Sequence, residues 1–151
     1  MPLTEGDPAP EISAPNQDGE TVELDFEEPT VVYFYPKDDT PGCTIEARQF
    51  GLELEAYRDA GVEVYGVSTD DVDSHRAFCD TADIEFDLLA DPDAELAEAF
   101  DVEIVSGVTL RTTFFLSNRT VQAVYESVNP DGHAREVLSD AIEAELVTLP
   151  E

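Results

Sequence analysis

Basic residues are nearly absent from this chain. Seven Lys and Arg stand against 36 Asp and Glu in 151 residues, a formal charge of −29, and lysine occurs once, at Lys37. A surface of that sign repels nucleic-acid phosphates and anionic membranes, so neither is expected as a partner. Cysteine is also scarce. Cys43 and Cys79 are too few for a disulfide scaffold, and no C-x-x-C dithiol pair exists. Apolar runs fall short of the ~18 residues of a membrane span. The opening Met-Pro-Leu-Thr-Glu-Gly-Asp lacks the basic and apolar segments of a secretory signal, so a cytoplasmic location is expected. There is no repeat, linker or low-complexity stretch. Residues 1–151 therefore read as a single domain, with 42% hydrophobic residues to build its core.

The acidic residues are dispersed, from Glu23–Glu28 through Asp70–Asp73 and Asp91–Glu98 to Asp140–Glu145. A cation-binding protein is one reading, but it rests on charge alone, because no EF-hand loop is present. Even dispersion fits better with a salt-rich cytoplasm, where the Debye length shrinks to ~3 Å at 1 M salt and self-repulsion is screened. The charge thus speaks of habitat more than chemistry.

Residues 1 to 10 carry three prolines and read as an extended arm. Ile12–Ala14 and Thr21–Leu24 flank Asn16-Gln17-Asp18-Gly19 as a hairpin. Val31–Tyr35 is a buried strand. Ala47, Phe50, Leu54 and Tyr57 mark one face of a helix from Cys43 to Ala60, stopped by Gly61. Val62–Ser68 is a second buried strand. Asp70–Asp73 cap a helix to about Thr81, and Phe86–Ala90 is a short strand. Asp91-Pro92-Asp93 opens a helix carrying Leu96 and Phe100. Thr112–Ser117 and Thr120–Ser127 form an antiparallel hairpin, and Ala134, Val137, Leu138, Ala141 and Ile142 mark a last helix. This order predicts an α/β fold, a mixed central sheet with helices on both faces.

The chemistry concentrates at Phe34-Tyr35-Pro36-Lys37-Asp38-Asp39-Thr40-Pro41-Gly42-Cys43-Thr44. Cys43 falls where a strand ends and a helix begins. Free N–H groups and the positive end of the helix dipole both favour thiolate over thiol there, and the thiolate is the nucleophile. Thr40 offers a hydroxyl on the same loop, and the two prolines stiffen it.

Pro36, Thr40 and Cys43 reproduce the Pro-x-x-x-Thr-x-x-Cys motif of peroxiredoxins. The longer string, followed by Glu46-Ala47, resembles the peroxiredoxin Q, or bacterioferritin-comigratory-protein, subfamily. The resemblance extends from about Pro8 to Leu146. It implies a thioredoxin-like fold and a thiol peroxidase acting on hydrogen peroxide and alkyl hydroperoxides. It casts Cys43 as the reactive thiol and Arg111, just before the Thr112–Leu116 strand, as the arginine of the site. Arg119 competes for that role but sits in a turn. Many subfamily members carry a resolving cysteine five residues after the first, where this chain has Arg48. Others place it on the helix that here holds Cys79. The implied cycle runs through a Cys43–Cys79 disulfide reduced by thioredoxin or a similar dithiol. The alternative is a one-cysteine peroxidase or peroxide sensor in which Cys79 is structural. The resemblance implies no cofactor and a monomer. His75 and Cys79 share a helical face at metal-ligand spacing, but no second pair completes a zinc site, so no metal is expected. His75 and His133 are expected on the surface.

Overall fold

A computed structural model describes residues 2–126, 129 and 131–144. The order is β1 (Ile12–Pro15), β2 (Thr21–Leu24), β3 (Thr30–Phe34), α1 (Pro41–Asp59), β4 (Glu63–Ser68), α2 (Val72–Ala82), β5 (Asp87–Ala90), α3 (Glu95–Ala99), β6 (Ile104–Val105), β7 (Val108–Thr109), β8 (Thr112–Ser117), β9 (Thr120–Glu126) and α4 (His133–Glu143). The predicted end of the last strand, Ser127, lies outside the described residues.

The central sheet has the order β5-β4-β3-β8-β9. β3, β4 and β5 run parallel, as helical crossovers between them require, while β8 and β9 are antiparallel additions. The residues of β3 alternate between two cores, with Val31, Tyr33 and Tyr35 on one side and Val32 and Phe34 on the other. The first core is covered by α1, α2 and α4, and the second by α3, Phe100 and the β1–β2 hairpin. Helices thus lie on both faces, but the second face relies on a hairpin as much as on its five-residue helix.

α1 buries Ala47, Phe50, Leu54 and Tyr57 as their spacing predicts. It starts at Pro41, two residues before the expected Cys43. Proline suits a first helical position because its missing N–H has no intrahelical partner there. Gly61, at φ +75°, ends it. Val62 N–H donates to Tyr57 O and Gly61 N–H to Arg58 O, the paired bonds of a Schellman stop. Asp71 caps α2 by accepting from Ser74 N–H. The β6–β7 ribbon was not legible, since two-residue strands carry no periodicity.

Candidate active site

Cys43 is the third residue of α1 and is buried. At that position its own N–H and that of Gly42 have no acceptor within the helix. Register puts Arg111 nearby. Phe34 pairs with Thr112, so the residue before β8 lies beside the loop leaving β3. The guanidinium forks. Nη2 donates to Cys43 Sγ at 3.2 Å and Nη1 to Glu46 Oε1 at 2.8 Å. Arg111 thus lies beside Cys43, while Arg119 is exposed among Asp25 and Glu27.

Glu46 completes this arrangement, and sequence reasoning did not assign it a role. It lies one turn after Cys43, on the apolar side of α1, and is almost wholly buried. Burial pushes its carboxyl up to about 7, against the opposing pull of Arg111. Among the described residues its second oxygen, Oε2, has no hydrogen-bond partner, and neither does the buried hydroxyl of Tyr33. Burial raises the Tyr33 phenol well above its ordinary value, with Glu46 and Cys43 adding to the effect. The available signal for Glu46 was an acid on the stripe of Ala47 and Phe50, a costly position unless paired.

Thr40 is the N-cap of α1 in extended conformation. Its hydroxyl donates to Lys37 O at 2.9 Å, so in this state its proton is engaged by that carbonyl. Its carbonyl accepts from Thr44 N–H and Thr44 Oγ1. Pro36 sits half-buried between Tyr35 and the turn. Thr109 Oγ1 donates to Tyr35 O, which ties the loop to β7.

Cys79 lies on the buried side of α2 and joins the same apolar core as Cys43, and both are free thiols. Burial, followed by the carboxylates of Asp38, Asp80, Asp18 and Asp87, pushes its thiol up to about 12. A shallow cleft lined by Gln17, Asp18, Arg76, Asp80 and Ile84 opens beside it.

The two histidines overturn their expected surface placement. His75 is fully buried, with Nδ1 2.7 Å from Asp38 Oδ2 and Nε2 2.9 Å from Leu89 O. His133 is buried with Nε2 2.8 Å from Thr113 Oγ1, and burial lowers its pKa. Each falls on its helix's apolar stripe, His75 with Phe78, Cys79 and Ala82, and His133 with Ala134, Val137 and Ala141. Position on the stripe outweighed side-chain polarity because each ring finds partners inside. Among the described residues, Asp38, Asp70 and His75 are the one group whose donor atoms lie close enough to share a metal ion. These atoms already satisfy one another and their neighbours.

Comparison with known proteins gives a consistent result. Residues 5–124 match the AhpC/TSA family. The chain is 36% identical over 149 residues to a putative peroxiredoxin bcp of Coxiella burnetii, covering 91% of this chain and 98% of that one. It is 44% identical over 103 residues to peroxiredoxin Bcp of Escherichia coli, covering 67% and 66%. A cysteine-to-serine mutant of PrxQ from Xylella fastidiosa superposes with a TM-score of 0.87 at 31% identity, covering 95% and 98%. The bacterioferritin comigratory protein of Xanthomonas campestris, described by its alkyl peroxide reduction activity, superposes at 0.81 with 35% identity over 89% and 91%.

Proposed function

The chain belongs to the AhpC/TSA family and is a thiol peroxidase of the Bcp/PrxQ kind, and from that premise we propose that Cys43 is its peroxide-reducing thiol. The observation that carries this is the fork of Arg111, which holds Cys43 Sγ with one arm and Glu46 with the other. The guanidinium is permanently charged, planar and fixed in direction by Glu46. It offers a counter-charge to the thiolate and to the oxygens of a peroxide bound beside it.

The thiolate attacks one oxygen of ROOH. The S–O bond forms as the O–O bond breaks, and RO⁻ leaves and is protonated to ROH. Charge moves from sulfur to the departing oxygen. Fixed donors stabilise that charge without reorganising, and those at hand are Arg111 and the N–H groups of Gly42 and Cys43. Thr40 joins them if its hydroxyl leaves Lys37 O. Pro36 and Pro41 stiffen the loop around the sulfur. The substrates are hydrogen peroxide and alkyl hydroperoxides.

Cys79 resolves the resulting sulfenic acid as a disulfide, and thioredoxin or a similar dithiol restores both thiols. Supporting this are the resemblance, which places a resolving cysteine on this helix, and the position of Cys79 in one core with Cys43. One observation favours a second reading. Cys79 is buried and its thiol is held far from ionisation, as befits a structural residue in a one-cysteine peroxidase or sensor. The dispersed charge of −29 supports a salt-rich setting with no nucleic acid or membrane partner, and the resemblance supports a cytoplasmic monomer.

The test is peroxide consumption with a thioredoxin system. Cys43→Ser is expected to abolish it, and an unchanged rate contradicts the assignment. Cys79→Ser separates the two readings, since it stops thioredoxin-driven turnover only if Cys79 resolves.

A further inference from the structure

Asp38 lies in the loop that leads into Cys43, and its carboxylate is buried. Tyr35 Oη donates to its Oδ1 at 2.6 Å. Ser74 Oγ donates to its Oδ2 at 2.8 Å, and His75 Nδ1 lies 2.7 Å from the same oxygen. Ser74 and His75 both belong to the N-terminal half of α2. The other nitrogen of His75 faces the carbonyl of Leu89 at 2.9 Å, and a carbonyl only accepts, so Nε2 carries a proton. The Nδ1–Oδ2 contact then holds a further proton between ring and carboxylate. The backbone N–H of Asp38 donates to Asp70 Oδ2 at 2.8 Å, which also accepts from Ser68 Oγ. One buried carboxylate therefore fastens the Cys43 loop to α2, one turn before Cys79.

We propose that His75, through Asp38, is a positioning residue for the resolving step: it latches α2 to the Cys43 loop, and release of the latch governs how fast Cys79 reaches oxidised Cys43. The inference rests on the reading that Cys79 resolves. In that step the Cys79 thiolate attacks the sulfur of Cys43–SOH. An S–S bond forms, the S–O bond breaks, and the departing hydroxide takes up the proton that Cys79 released, leaving water. No outside oxidant or reductant enters.

Two features make the latch the point of control. Both thiols are free and buried in the latched state, each on a helix that the latch holds near its start. The latched environment also keeps Cys79 protonated, through burial and the carboxylates around it, Asp38 among them. Releasing α2 brings Cys79 towards solvent, where a thiol ionises more readily. Such local opening is controlled by the interactions that must break first, and here these are bonds to one charged oxygen pair.

The test compares wild type, His75→Gln and Ser74→Ala. Folding is confirmed by circular dichroism, and reduced protein is mixed with one equivalent of hydrogen peroxide. Rapid acid quench, alkylation and mass measurement follow sulfenic acid and disulfide separately. Weakening the latch is expected to raise the rate of disulfide formation relative to sulfenic-acid formation, roughly tenfold for His75→Gln, the low end of bonds to charged groups, and about threefold for Ser74→Ala, the scale of an ordinary hydrogen bond. Over-oxidation of Cys43 to sulfinic acid at high peroxide falls in parallel, because faster resolution competes with a second peroxide. General destabilisation would lower the melting temperature without moving that ratio. Ser74→Ala keeps the test open if His75→Gln fails to fold, since it orphans no buried ring. An unchanged or lowered ratio in the folded variants overturns the latch while leaving Cys79 as the resolving thiol. Absence of a Cys43–Cys79 disulfide in wild type overturns both.

Discussion

Arg111 and Cys43 are 68 residues apart in the chain, yet the guanidinium Nη2 donates to the sulfur at 3.2 Å while Nη1 is held by Glu46. Only a forked donor can make both contacts at once. Arg111→Lys is therefore not conservative here, because a single ammonium lacks that geometry. We expect Arg111→Lys and Arg111→Ala to slow peroxide reduction by about 10²–10³-fold, the usual effect of losing a preorganised donor. Initial rates at fixed peroxide report the change, and a loss of less than threefold would separate Arg111 from the reaction.

Glu46 gives the site a pH signature. Its carboxyl is raised from 4.5 to about 7, chiefly by burial. The folded chain therefore holds a proton between those values that the unfolded chain has lost. That contribution to stability is present in full below the unfolded value and disappears as pH rises through about 7. Glu46→Gln removes the titration. Its stability relative to wild type is expected to climb between pH 4.5 and about 7, by on the order of 3 kcal/mol, and then level off. Denaturant unfolding of both proteins across that range is the measurement, and a pH-independent difference would contradict it.

Tyr33 stacks on Phe50 with ring centroids 4.6 Å apart, and its hydroxyl is buried with no partner among the described residues. A side chain on Gly66 would collide with this ring, so the phenol has no room on that side. Tyr33→Phe keeps the stack and removes the unpaired group. We expect it to stabilise the fold by about 1 kcal/mol, a rise in melting temperature of about 2–4 °C for a domain of this size. A lowered melting temperature would mean that the hydroxyl is bonded.

Salt should act on the whole surface. A formal charge of −29 repels itself, and added ions screen it. The melting temperature is expected to rise substantially between ~0.1 M and multimolar KCl. A flat or falling profile would remove the high-salt reading.

What could be read from the sequence follows physical lines. Cys43, Thr40 and the start of α1 are neighbours in the chain, so local pattern exposed them. α1 was legible because Ala47, Phe50, Leu54 and Tyr57 repeat at helical spacing. Arg111 was legible only through the resemblance, since strand pairing brings it to Cys43 from far along the chain. Glu46 was overlooked among 36 acids, although its place on the apolar stripe of α1 set it apart. His75 and His133 were misplaced because a polar ring reads as surface until its partners are known. Those partners, Asp38 and Thr113, are distant in sequence. The start of α3 was misread as well. Buried Asp91 accepts from Leu96 and Ala97 N–H across the turn, and the helix begins at Glu95 rather than at Asp91-Pro92-Asp93.

The central claim is that peroxide oxidises Cys43 and that Cys79 completes the turnover. The most direct test is peptide mapping under non-reducing conditions after one equivalent of hydrogen peroxide. The account predicts a cross-link between the peptides containing Cys43 and Cys79, absent before peroxide and absent in Cys43→Ser. Oxidised Cys43 beside a persistently free Cys79 would contradict the resolving role, and an unoxidised Cys43 would contradict the account as a whole.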